Sequence, residues 1–212
     1  MNSLEGLNPQ QQEAVLCTEG PLLILAGAGS GKTRVLTHRI ACLIEEKGVK
    51  PWNIMAITFT NKAAGEMKER VEKTVSFGAD SIWVSTFHTS CVRILRRYID
   101  RIGNRTNFTI YDTDDSKAVV KEVCKSLNID SKLYKERMLL SAISAAKNKN
   151  ITAEEYQEED SWNGKTIARV YKEYQSRLRK NNALDFDDLL MKTVELFETC
   201  PEVLEYYQER FR

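Results

Sequence analysis

The chain has 212 residues, of which 42% are hydrophobic and 29% charged, a balance that can bury a real core and excludes a disordered or fibrous polypeptide. Thirty-one Lys and Arg stand against 30 Asp and Glu, a net charge of +1, so any basic binding surface has to be local. Five widely spaced cysteines without a C-x-x-C pair, with two histidines to help them, argue against a structural zinc site or a disulfide framework. No apolar run approaches the roughly 18 residues of a membrane span, and the N-terminus lacks the basic and apolar regions of a signal peptide. The expectation is a cytoplasmic protein without a membrane partner.

The first 88 residues alternate short apolar runs with amphipathic segments. Residues 22–26, 54–59 and 82–86 are continuous, partly β-branched runs bounded by turn residues, which predicts strands buried on both faces of a parallel sheet. Between them, Leu36, Ile40, Leu43 and Ile44 recur at helical spacing before Gly48, as do Ala63, Ala64, Met67 and Val71 before Gly78. The order β, α, β, α, β is that of an α/β layer. From about residue 89 the strand signal fades. Val92, Leu95 and Ile99, then Val119, Val123 and Leu127, then Ile167, Val170, Tyr171, Tyr174 and Leu178, then Leu190, Val194 and Phe197 follow three-to-four-residue spacing and predict a helical half. FTIYD, residues 108–112, is predicted as a short strand running into a helix that starts at Asp114 and Asp115. Asp185 is placed to cap a helix and Pro201 to occupy the first position of another.

The strongest chemical signal is AGAGSGKT, residues 26–33, between an apolar run and an amphipathic helix. This is the pattern of a P-loop. Its glycines let backbone N–H groups converge on one anion, the helix N-terminus adds positive dipole, Lys32 neutralises terminal phosphate charge, and the Thr33 hydroxyl can ligate a magnesium ion. Ala26 stands where the general pattern has glycine, which a negative φ accommodates. The loop by itself does not choose among kinases, ATPases, GTPases and helicases.

A second constellation narrows the choice. LNPQQ (residues 7–11), AGAGSGKTR (26–34), TFTNKAAGEM (58–67), STFH (85–88) and DFDDL (185–189) occur in that order, and together they resemble the UvrD/PcrA-type DNA helicases of superfamily 1 from residue 4 to the last residue. The resemblance implies an α/β fold, a RecA-like P-loop NTPase with an incomplete parallel sheet and an inserted, mainly helical domain. It implies residues 1–88 as the first part of the ATP-binding motor domain and 89–212 as the inserted domain, its last helices leading back to the motor.

The same resemblance implies ATP and Mg2+ as cofactors. Gln11, Ala26, Gly27, Ala28, Gly29, Ser30, Gly31, Lys32, Thr33 and Arg34 would hold the nucleotide, with Lys32 and Thr33 in the catalytic roles and Thr33 on the metal. A Gln amide offers a donor and an acceptor together, matching the N6 and N7 edge of adenine, and Arg34 would lie against the base. Phe59, Thr60, Asn61 and Lys62 would meet single-stranded DNA, Phe59 by stacking on a base, and Thr86, Phe87 and His88 would lie on the same track. From the residues alone, a place in the buried strand is as good an account of Phe59.

One cluster stays open, and a second is read as a helix cap. Arg93, Arg96, Arg97, Arg101 and Arg105 suit either a phosphate groove or a solvated helix face, and Lys147 and Lys149 are weaker candidates for DNA. Asp185, Asp187 and Asp188 invite a metal reading, yet a helix start favours acidic residues on its own account. Glu154, Glu155, Glu158, Glu159 and Asp160 are expected to face solvent.

The Asp-Glu pair that ATP hydrolysis needs in this family occurs nowhere in the sequence. The expectation is the N-terminal portion of a longer helicase acting on single-stranded and duplex DNA in repair or replication, whose remaining C-terminal domains lie outside this chain. These 212 residues alone would neither unwind DNA nor turn over ATP. A P-loop kinase of a small metabolite and a non-catalytic nucleic-acid binding module are the alternatives.

Overall fold

The computed structural model describes residues 3–156 and 163–211 and is a mixed α/β molecule in which helices dominate short parallel strands. Its contacts divide it into two compact units, one of Met1–Phe87 with Glu205–Arg212 and one of His88–Leu204, so the chain crosses between them twice.

The first unit contains α1 (Pro9–Leu16), α2 (Lys32–Glu45), β1 (Met55–Thr58), α3 (Asn61–Thr74) and β2 (Trp83–Thr86). Helix α1 opens on a reciprocal cap, Asn8 accepting from the Gln11 amide and the Gln11 side chain accepting from Asn8 N–H, with Pro9 at the first helical position. Strands β1 and β2 pair in parallel with Met55 opposite Trp83 and Thr58 opposite Thr86, as a β-α-β crossover requires. One face of α2, carrying Ile40, Ala41 and Ile44, packs with Met67 and Val71 of α3 and with Ile54 and Ile82 beside the strands. The returning C-terminal segment closes this core at its edge, where the Tyr207 and Phe211 rings meet Trp83 edge-on at 6.1 and 5.4 Å.

One predicted strand is absent. Residues 22–26 take no regular secondary structure and join no ladder among the described residues, and Leu23 and Leu25 are 80% and 86% exposed. An apolar run becomes a buried strand only where a neighbouring strand supplies hydrogen bonds and both faces are covered, and among the described residues β1 and β2 pair only with each other.

The second unit begins within α4 (Phe87–Tyr98), whose first residue belongs to the first unit, and contains β3 (Thr109–Ile110), α5 (Thr113–Ser126), α6 (Glu136–Lys147), α7 (Gly164–Lys180), β4 (Ala183–Leu184) and α8 (Phe186–Thr199). Its core is built by α5, α6 and α7 through Val120, Val123, Leu139, Ile143, Val170, Tyr174 and Leu178, the residues that helical spacing places on one stripe of each helix. The FTIYD segment does contain a strand, β3, pairing in parallel with β4. Helix α9 (Pro201–Arg210) begins on its proline as expected.

Asp112, just after β3, caps α5 by accepting from the N–H groups of Asp115 and Asp114 at 2.9 and 2.8 Å. Those bonds, Asp115's first, hold its carboxyl below the usual carboxylate range. The stabilisation they provide is therefore present above the unfolded carboxylate pKa of about 3.9 and lost as pH falls through the lower folded value. Asp112→Asn keeps the cap without titrating, and urea unfolding followed across pH 2 to 5 should show a shallower acid limb for it.

The arginine stretch is partly spent on packing. The Arg96 guanidinium stacks 3.9 Å over the Phe108 ring and donates to the Thr106 carbonyl, and Arg101 pairs with Glu202. A continuous phosphate groove along this stretch loses two of its five members.

Candidate functional site

Residues 26–31 form an exposed turn ahead of α2. Gly29 and Gly31 sit at φ +75° and +85°, the left-handed region glycine enters without steric cost, and Ser30 closes the turn by donating from its hydroxyl to the Gly27 carbonyl at 2.7 Å. Gly31 is the N-cap of α2 and offers no side chain to the first helical N–H groups, which are left for an anion. Lys32, the first helical residue, folds back so that its ammonium donates to the carbonyls of Ala26 at 2.8 Å and Gly27 at 2.6 Å. The cation thus waits at the lip of the loop, held by neutral acceptors that a phosphate oxygen can replace. Thr33 follows it, half-buried.

Gln11 reaches this loop. Its Nε2 donates to the Ser30 carbonyl at 3.0 Å while its Oε1 accepts from Asn8 N–H at 3.0 Å. One N–H and one lone pair remain, a donor and an acceptor side by side. The Arg34 guanidinium lies against Gly6, where a Cβ would come within 2.6 Å of Nη2. Gly31→Ala would force a side chain into the left-handed region and bring Cβ within 2.9 Å of Gln11 Nε2. It is expected to lower stability by about 1–2 kcal/mol. Thermal unfolding checks this, and an unchanged midpoint would mean that the turn is not left-handed in solution.

The second feature lies where β1 and β2 end. Phe59, one residue past β1, is 93% exposed, and Phe87, one residue past β2, is half exposed, their ring centroids 6.2 Å apart. The parallel register puts both at the carboxyl edge of the sheet, where such sheets bind ligands. The buried-strand account of Phe59 is excluded. Thr60 caps α3 by accepting from Ala63 N–H at 3.1 Å, and Asn61 and Lys62 follow on the exposed first turn, whose free N–H groups suit a phosphate. Thr86, expected beside them, is 6% exposed within β2 and supports the strand end from inside.

In the second unit the His88 ring meets the Phe186 ring edge-on, centroids 5.7 Å apart and planes at 89°. Phe186, the first residue of α8, is 47% exposed. Sequence reasoning missed it because the flanking carboxylates drew attention to the cap, and because Phe186 stands four residues before Leu190, where it reads as one more member of the apolar stripe of this helix.

Those carboxylates are a counter-ion site. Asp185 accepts from Asp188 N–H at 2.8 Å as the N-cap, and Asp188 accepts in return from Asp185 N–H at 3.2 Å. Their remaining oxygens accept from Lys147 Nζ at 2.7 and 2.8 Å. The Lys147 side chain has 0% exposure, which removes it as the weaker DNA candidate it was from sequence: its ammonium is committed to two carboxylates inside the core. Among the described residues no group of carboxylates, histidines and cysteines is arranged to hold a metal, which removes the metal reading of DFDDL. Lys149, Glu154 and Glu155 are exposed, whereas Glu158, Glu159 and Asp160 lie outside the described residues.

Residues 7–212 match the model of the UvrD/REP helicase N-terminal domain. The chain is 58% identical over 210 residues to the ATP-dependent DNA helicase PcrA of Bacillus subtilis strain 168, covering 99% of this chain and 28% of that protein. It is 60% identical over 214 residues to a PcrA helicase of Staphylococcus epidermidis and 59% identical to one of Staphylococcus aureus strain Mu50, in each case covering all of this chain and 29% of the relative. The chain thus spans under a third of the length of the curated relatives it matches. No helix among the described residues is long and apolar enough to cross a membrane.

Proposed function

The chain belongs to the UvrD/REP helicase family, and from that membership we propose that it serves in an ATP-dependent DNA helicase of the cytoplasm, binding ATP in its glycine loop and single-stranded DNA on its exposed aromatics. The first unit is then the beginning of a RecA-like P-loop motor domain and the second unit, His88–Leu204, the helical domain inserted into it. In the whole protein the motor translocates on single-stranded DNA and opens duplexes in repair or replication. The kinase and non-catalytic readings draw no support from the relatives.

The residues divide the work as follows. The left-handed glycines and the uncapped start of α2 receive the terminal phosphates, to which Lys32 transfers its ammonium from the loop carbonyls. Thr33 would hold Mg2+, which would supply positive charge against the phosphates when bound. Gln11 gives its spare donor and acceptor to the adenine edge, and Arg34 covers the base. Phe59, with Phe87 beside it, takes a base on its face, while Asn61 and Lys62 meet the backbone at the open helix start. Phe186 and His88 give the second unit a stacking surface of its own.

One observation carries the DNA reading: Phe59 holds its ring almost wholly in water at the carboxyl edge of the sheet, beside a second exposed ring. Stacking on a base is worth about 1–3 kcal/mol, so Phe59→Ala is expected to weaken binding of an oligo-dT carrying 2-aminopurine roughly 5- to 150-fold. The α3 cap lies outside the substitution, so thermal stability should hold. Equal affinity of both proteins for the oligonucleotide would overturn the assignment.

A further inference from the structure

A cation sealed in a core is a poor way to gain stability, because desolvation consumes most of the attraction, and an apolar residue of the same shape does as well. The reward for keeping one is a fixed arrangement, and the arrangement around Lys147 is directional. Each of Asp185 and Asp188 divides its two oxygens. One closes the reciprocal cap of α8, Asp185 Oδ1 from Asp188 N–H and Asp188 Oδ2 from Asp185 N–H. The other faces Lys147, Asp185 Oδ2 sharing it with the Tyr174 hydroxyl at 2.9 Å and Asp188 Oδ1 with Gln175 Nε2 at 3.1 Å. The ammonium also lies 5.3 Å from the centroid of the Tyr174 ring. The first turn of α8 is therefore gripped from inside at its N-cap and its third residue by α6 and α7. Phe186 and Asp187 lie between those grips, and the Phe186 ring meets His88.

We infer that Lys147 is a positioning residue for the Phe186–His88 ring pair: by clamping both carboxylates of the α8 start it fixes the direction in which Phe186 leaves the helix, and so presents a preset face to a nucleic-acid base. This rests on the DNA reading above for its functional half. Without the clamp, the cap can still form, since it needs one oxygen from each aspartate, but α8 is free to rotate and the ring pair separates.

The chain has two histidines, so the imidazole proton signals of His88 are assigned by comparison with His38→Gln. Phe186→Leu defines how far the Phe186 ring displaces them. Lys147→Met alone leaves two buried carboxylates uncompensated and endangers folding, so the deciding variant is the charge-balanced pair Lys147→Met with Asp188→Asn, its helicity checked by circular dichroism. In that pair the His88 signals are expected to move to the position they take in Phe186→Leu, and oligo-dT affinity to fall by the same factor as in Phe186→Ala, roughly 5- to 150-fold. A folded pair variant whose His88 signals keep their wild-type positions overturns the positioning role. If the signals move but Phe186→Ala binds oligo-dT as wild type does, Lys147 still orients the rings and the DNA reading of the second unit is what fails.

Discussion

Lys32→Ala is expected to raise the dissociation constant for a fluorescent ATP analogue by about 10- to 150-fold, the equivalent of a charge-assisted hydrogen bond worth roughly 1.5–3 kcal/mol. The reasoning starts from where the ammonium sits. It is bound to the Ala26 and Gly27 carbonyls at 2.8 and 2.6 Å, so phosphate must compete with those contacts, and the gain on binding is the difference between a phosphate oxygen and a neutral carbonyl. Alanine also removes the tie between the helix start and the loop rim. Lys32→Arg, which keeps a cation near the rim, should lose less affinity than alanine. Fluorescence titration with and without Mg2+ measures both, and an alanine variant that binds the analogue as tightly as wild type would show that the loop is not the phosphate cradle.

The second large effect is on folding. Lys147→Met leaves Asp185 and Asp188 buried without their cation and is expected to cost about 3–5 kcal/mol at neutral pH, read from urea unfolding. The defect has a definite pH dependence. Burial pushes the Asp188 carboxyl above its usual range, and Lys147 opposes that push. Removing Lys147 lets it rise further. A carboxyl raised in the folded state contributes stability below its unfolded pKa and loses it as pH climbs through the folded value. The gap between variant and wild type should accordingly narrow as pH is lowered from 7 towards 4, and a gap constant across that range would mean that the carboxylates are not what the lysine compensates.

Lys147 also shows what spacing can and cannot reveal. Leu139, Ile143 and Lys147 stand four residues apart on α6, so the lysine's place on the buried stripe was visible in the pattern. Its partners were not, because they lie 38 and 41 residues away, and an ordinary charged residue at that position reads as surface. Phe186 was hidden by its neighbours for the same reason: three carboxylates at a helix start have a sufficient local account in capping. The strand expected at residues 22–26 erred in the opposite direction. Its apolar run satisfied every local criterion, yet among the described residues it joins neither edge of the β1–β2 pair and stays outside regular structure, with Leu23 and Leu25 exposed.

By itself the sequence determined what nearest neighbours decide. The left-handed glycines of the loop, the caps at Asn8, Asp112 and Asp185, the proline start at Pro201 and the helical stripes all follow from interactions within about four residues, whose geometry the backbone sets. The order of five motifs was enough to point to the family. The tertiary structure alone decided which distant groups meet: the register that brings Phe59 beside Phe87, the return of residues 205–211 to Trp83, and the pairing of Lys147 with the start of α8. Those contacts require loops to close and side chains to give up water together, and that free energy belongs to the packed whole rather than to any stretch of the chain.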